Sequence, residues 1–180
     1  MRGKAEQGFT LIELLIVVAI ISIIAAIAVP GLLRARMTGN ETSAIASLKV
    51  TTSSQVAYSA SCGGGAYAQD YHTLGTPPNG TTEAFISQDL GDPLAPVPVL
   101  KSGYAFQLVA GANNNAGPND CNGTATITAW YATGVPQAYG TSGTRCFAVN
   151  AGNTIFQDTN NNCAAPPEPF TVGGTISVIQ

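Results

Sequence analysis

Hydrophobic and polar positions are sorted unevenly along this chain. From Leu14 to Val29 sixteen residues follow one another with Ser22 as the single polar one. A run without a polar face predicts a helix that is buried all round, and residues 9–33 are long enough to cross about 30 Å of hydrocarbon at ~1.5 Å per residue. Past it, Ile45, Leu48, Thr52, Val56 and Ser59 recur at helical spacing, with Glu41, Lys49 and Gln55 off that stripe. Residues 34–61 thus read as an amphipathic continuation. The stretch TTSSQ inside it is poor in helix formers, so its helicity depends on packing against the downstream domain. Cys62-Gly63-Gly64-Gly65 ends the helix, which from Phe9 to Ser61 would be ~80 Å long.

From Ala66 to about Lys101 the chain is turn-rich (GTPPNG, GDPLAP, VPV) and reads as a surface-wrapping connector with a short helix around Glu83–Asp89. Strand patterns come next at Gly103–Val109, Ala125–Ala132, Arg145–Asn150 and Thr154–Gln157, the last two joined by Ala151-Gly152-Asn153 as a hairpin loop. The tail VGGTISVI adds a further candidate strand. The expected fold is α+β: a long N-terminal helix, apolar in its first half, packed on an antiparallel sheet of about four strands within a globular region, 62–180.

Charge changes the picture in one respect. Charged residues are 9% of the chain, against ~25% in an average soluble protein, and the net charge of −3 leaves no basic footprint for nucleic acid. Arg2 and Lys4 precede the apolar run and Arg34 and Arg36 follow it, so counting does not orient it. Its N-terminal position puts the short N-terminus in the cytoplasm and the larger, mildly acidic domain outside. Four cysteines in an exported domain, Cys62, Cys121, Cys146 and Cys163, read as two disulfides with three possible connectivities. No two are close enough for a C-x2-C zinc site.

Glu13 is the residue that ordinary readings of the apolar run leave unexplained. A signal peptide cut after Ala26-Ile27-Ala28, releasing a secreted binding domain, leaves it as a cost. So does a permanent transmembrane anchor, since a carboxylate near the centre of a spanning helix costs roughly 2.5–3.5 kcal/mol on insertion scales. Gly8 followed by Phe9-Thr10-Leu11-Ile12-Glu13 and the apolar run resembles the N-terminus of type IV prepilins and pseudopilins. The resemblance covers roughly residues 8–36. It implies that a membrane-embedded prepilin peptidase and methylase removes the basic leader, 1–8, after Gly8 and methylates the new N-terminal Phe9. It further implies that the Phe9 amine of one subunit pairs with Glu13 of a neighbour. Pro30 and Gly31 match a helix-weakening point of the family. Thr10 and Glu13 also form an S/T-x-x-E capping box, a purely local role that can coexist with the pairing.

Of the three connectivities the favoured one is Cys62–Cys121 with Cys146–Cys163. The second pair would close a small C-terminal loop across the predicted hairpin, which resembles the disulfide-bounded C-terminal region of many type IV pilins. In the chain-entropy account such a loop is worth about 3 kcal/mol.

Candidates for chemistry are few. His72, the single histidine, has no nucleophile motif around it and reads as a loop residue. SCGGGAY neither follows a strand nor opens a helix, so it is no phosphate loop. Asp158, Asn160 and Asn162 begin like a calcium loop, but Cys163 replaces the required glycine and no glutamate stands at the twelfth position. Asn40, Asn79 and Asn122 open N-x-T triplets, a motif frequent by chance.

The expectation is therefore a structural filament subunit, with no enzyme activity, cofactor or metal. It sits in the inner membrane before assembly and in a cell-surface pilus afterwards. Its partners would be copies of itself and the pilus or secretion assembly machinery. The alternative within the class is a pseudopilin of a type II-like secretion system, forming a periplasmic pseudopilus.

Overall fold

The computed structural model describes residues 8–95, 97–160 and 165–179. The chain divides into two compact units, one up to Arg36 and one from Met37 onward.

The first unit is the start of helix α1 (Leu11–Ser61). Its large apolar side chains, Leu11 to Leu33, are all at least half exposed. Ser22 Oγ donates to the Val18 carbonyl at 2.7 Å, which satisfies the one hydroxyl of the run inside the helix. The helix continues through Pro30, whose ring nitrogen has no hydrogen to offer the Ala26 carbonyl four residues back.

The second unit holds the rest of α1, two short helices, α2 (Tyr71–Gly75) and α3 (Gln88–Gly91), and a sheet. The strands are β1 (Val99–Lys101), β2 (Tyr104–Ala110), β3 (Trp130–Pro136), β4 (Cys146–Asn150), β5 (Phe156–Asp158) and β6 (Ile176–Val178). All neighbours pair antiparallel, in the spatial order β1-β2-β3-β4-β5-β6. The α+β fold is as expected, with six strands in place of four. Beyond the four are two three-residue edge strands: β1, unexpected among the connector's prolines, and β6, the candidate strand of the tail.

The strand expected at Ala125–Ala132 lies further along, at Trp130–Pro136. Ile127 makes only isolated bridges, to Tyr67 and Ala116. β3 contains Gly134, a residue that weakens a strand pattern on paper but makes room here. It stands opposite Phe106, and a Cβ on it would come within 3.1 Å of the Phe106 ring. The helix expected at Glu83–Asp89 lies later, as α3 (Gln88–Gly91), with Glu83 left in the loop before it, and α2 is an addition to the expected elements. Its cap is legible afterwards: Asp70 Oδ1 accepts from the Thr73 N–H at 2.7 Å and from its hydroxyl at 2.8 Å.

Alternation along β2 turns Tyr104, Phe106 and Leu108 inward, where they meet Trp130, Phe147 and Leu48 of α1 in one core. Tyr131, Phe156 and Phe170 form a separate aromatic cluster, with Phe156 and Phe170 stacked at 4.1 Å. The Tyr131 hydroxyl donates to the Pro166 carbonyl, and Glu168 accepts from Asn150 Nδ2 at 2.6 Å. The segment around Pro166–Phe170 is thereby strapped to β3, β4 and β5. Burial, with the Glu168 charge second, pushes the Tyr131 phenol up to about 12.

The buried stripe of α1 differs from the expected one. Glu41, Ala44, Leu48, Thr51, Gln55 and Tyr58 are buried, at alternating steps of three and four, whereas Val56 is 61% exposed. Glu41 and Gln55 therefore face inward, although hydrophobicity alone sets them off the stripe. Each is buried with its partners. Gln55 Nε2 donates to the Ala68 carbonyl and its Oε1 accepts the Ala68 N–H, both at 2.9 Å. A polar side chain satisfied in both directions can sit in a core with little penalty.

Candidate functional site

Two sets of residues carry the candidate function: the start of α1 and the contacts that fix its second half. Gly8, Phe9 and Thr10 precede the first helical residue, so the Gly8–Phe9 peptide bond lies in exposed, non-helical chain, with Phe9 90% exposed. No atom lies within 4 Å of where a Gly8 Cβ would stand.

Glu13 reaches back to Thr10. Its Oε2 accepts from the Thr10 N–H at 2.9 Å and from the Thr10 hydroxyl at 2.6 Å, while the Glu13 N–H donates to Thr10 Oγ1 at 3.3 Å. This is the reciprocal capping box, and it satisfies donors that the first turn of a helix otherwise leaves open.

Polar contacts pin the second half of α1. Glu41 Oε2 meets Arg145 Nε at 2.8 Å and Nη2 at 2.7 Å, and Oε1 accepts the Thr144 N–H at 2.8 Å. Arg145 Nη1 donates onward to Gln157 Oε1 at 2.9 Å, and Gln157 Nε2 to Ser177 Oγ at 3.0 Å. A polar chain thus runs from the helix across β5 to β6. Burial alone would raise the Glu41 carboxyl, but the Thr144 and Arg145 donors outweigh it and hold it below the ordinary carboxylate value. A carboxyl depressed in the folded state stabilises above its unfolded pKa and loses that contribution as pH falls through the folded one. Glu41→Gln is expected to lower stability at neutral pH by roughly 1.5–3 kcal/mol, the worth of hydrogen bonds to a charged group. In thermal unfolding across pH, the gap from the parent should be full above 4.5, the ordinary value, and should close in more acidic buffer.

Further along, the Tyr58 hydroxyl donates to Asp120 Oδ2 at 2.7 Å, and Asp120 Oδ1 accepts the N–H groups of Asn122 and Thr124 at 2.9 and 2.7 Å. Burial, then this hydrogen bond, raises the Tyr58 phenol. Beside it, Cys62 and Cys121 form a disulfide that closes a sequence separation of 59 residues. The chain-entropy account assigns such a loop about 4 kcal/mol. The double change Cys62→Ser, Cys121→Ser should lower unfolding stability by that order, read from denaturant unfolding of the full chain.

Cys146 is buried and also disulfide-bonded. Its expected partner, Cys163, lies outside the described residues, as does Asn162 of the calcium-like stretch. Asp158 is buried and accepts the Asn160 N–H at 2.9 Å, an Asx turn. Among the described residues no group of three His, Cys, Asp or Glu side chains is placed to hold a metal. His72 lies on α2, not in a loop. The N-x-T asparagines are engaged through their amides, Asn40 with Ser142, Asn79 with Cys121 and Asn122 with Pro77. Glu41–Arg145, Gln55 and Tyr58–Asp120 escape a reading of the sequence because each joins residues distant along the chain. The one available signal is the three-four spacing from Glu41 to Tyr58.

The family described as the prokaryotic N-terminal methylation motif matches residues 3–29. The matched stretch runs into the apolar start of α1, so the chain carries a prepilin-type N-terminal motif at the head of a long helix that packs on an antiparallel sheet. Over 39 residues, 22% of this chain, it is 59% identical to the type IV wide pilus major component PilA4 of Thermus thermophilus. The match spans 30% of that relative's length. No solved structure matches the chain.

Proposed function

We propose that the protein is a filament subunit of the type IV pilus kind. The observation that carries this reading is the pairing of the Gly8–Glu13 motif with an apolar helical surface, Leu11 to Leu33, that no described part of the chain covers. Exposing that much apolar side chain to water is untenable, so the surface belongs in lipid first and among other subunits afterwards. Prepilin peptidase cuts after Gly8 and removes residues 1–8, and Phe9 becomes the methylated N-terminus. Residues 9–33 anchor the chain in the inner membrane and then form the filament core, with Pro30 and Gly31 easing the helix there. The region 62–180 stays outside the cytoplasm. Likeness to a pilus component and the disulfide-stapled sheet domain favour a surface pilus over a periplasmic pseudopilus.

Intact mass and N-terminal sequencing of the protein from native cells test the processing. A chain starting at methylated Phe9 is expected. One starting at Val29 would have lost Glu13 and would refute the filament reading. Electron microscopy of sheared surface material, probed with antibody to the chain, then separates pilus from pseudopilus.

A further inference from the structure

Charge pairing inside the unit from Met37 onward is nearly complete. Of its Lys and Arg residues, Arg145 pairs with Glu41 and Lys101 with Asp89, at 2.7 and 2.6 Å. Lys49 has no carboxylate partner among the described residues. On the acidic side every described carboxylate but one accepts an ion pair or hydrogen bond, from Arg145 on Glu41 to the Asn160 N–H on Asp158. The exception is Glu83, exposed on the loop before α3.

These two groups stand on opposite sides of the unit. Lys49, Thr52 and Val56 of α1 line a groove of about 730 Å³ whose other wall is Asn153 and Val178, at the β6 edge of the sheet. Val56 and Val178 give it an exposed apolar floor. Glu83 shares a hollow with Gln88 of α3 and with Pro93, and α3 packs against β1, the other edge. Ser54, on the other flank of α1 at 100° per residue, donates to the Phe85 carbonyl at 2.7 Å and holds this loop there. Leu94, next to Pro93, is 91% exposed. Lys49 and the Glu83 loop lie on opposite flanks of α1, and the two side chains form no ion pair within one molecule.

We infer that the Lys49 groove receives the Glu83 loop of a second copy of this chain. One edge offers a cation over apolar side chains, and the other offers an anion on an exposed loop. The two patches differ, so the contact is heterologous: each copy gives one and receives the other, and the arrangement repeats without closing. Opposite charges at such a rim select the partner and its register. The inference rests on the filament reading and adds to it the surface by which sheet domains meet.

Charge reversal in the full chain tests it. Lys49→Glu and Glu83→Lys alone should each cut the yield of sheared filaments about tenfold, the effect of ~1.4 kcal/mol per contact, and the double variant should restore it. Thermal unfolding of each variant in detergent should match the parent, since both positions are exposed. Single variants that assemble as well as the parent, or a double variant that stays defective, would overturn the docking while leaving the filament reading intact. A parent chain that forms no filaments would overturn both.

Discussion

Glu13→Gln is expected to give a chain that is cut after Gly8 and methylated at Phe9 but does not enter filaments. Gln keeps the shape of Glu and can serve in a capping box, so the turn that Thr10 and Glu13 close should survive. What it cannot do is carry charge. In the filament reading the Phe9 amine of one subunit sits among apolar helices, and Glu13 of a neighbour neutralises it. Removing one partner of a buried pair leaves the other uncompensated, at about 3–5 kcal/mol. Per subunit that is a factor of ~100 or more in the assembly equilibrium. Thr10→Ala is the matching control, because it deletes the cap and keeps the carboxylate. That variant should assemble. Mass spectrometry of membranes and of sheared material reports both steps, and normal filaments from Glu13→Gln would reduce Glu13 to its cap.

Gly75→Ala should be the most damaging single change in the sheet unit. A Cβ at Gly75 would lie 1.6 Å from the Gly91 carbonyl oxygen and 2.7 Å from the Gly91 Cα. The obstacle is backbone, so no side chain can swing aside. α2 and α3 would have to part, pulling the fully buried Leu74 and Leu90 out of register. A loss of roughly 3 kcal/mol or more is expected, at the upper end of overpacking costs. For a chain of this size that lowers the thermal midpoint by about 6–12 °C. Gly39→Ala makes the contrast. It lies on an exposed stretch of α1 with nothing near its Cβ, and alanine there should stabilise by up to about 1 kcal/mol. Unfolding of the full-length variants in detergent, followed by near-ultraviolet circular dichroism, gives both signs in one experiment.

The N-terminal motif was legible because its signal is contiguous: Gly8 to Glu13 and the apolar run need no knowledge of distant residues. The α+β class was legible for a related reason, since long-range patterning separates the helix from the strands. What stayed hidden depended on tertiary partners. Gln55 and Glu41 look like surface residues until Ala68, Thr144 and Arg145 are brought to them. Gly134 and Pro136 argue against a strand until Phe106 and Tyr104 stand opposite. β1 has only three residues, too few to show a period.

The polar stripe on α1 has a mechanical consequence. A helix seated only by methyl groups can slip one turn, ~5.4 Å, along its groove and find similar contacts. Hydrogen bonds do not tolerate that shift. Gln55 meets the Ala68 peptide in both directions at one register only, and so do Ser54 with Phe85 and Thr51 with Tyr71. A tug along the axis of α1 is therefore met by several short, directional bonds loaded together in shear. The sheet unit behaves under tension as a latch with one closed position.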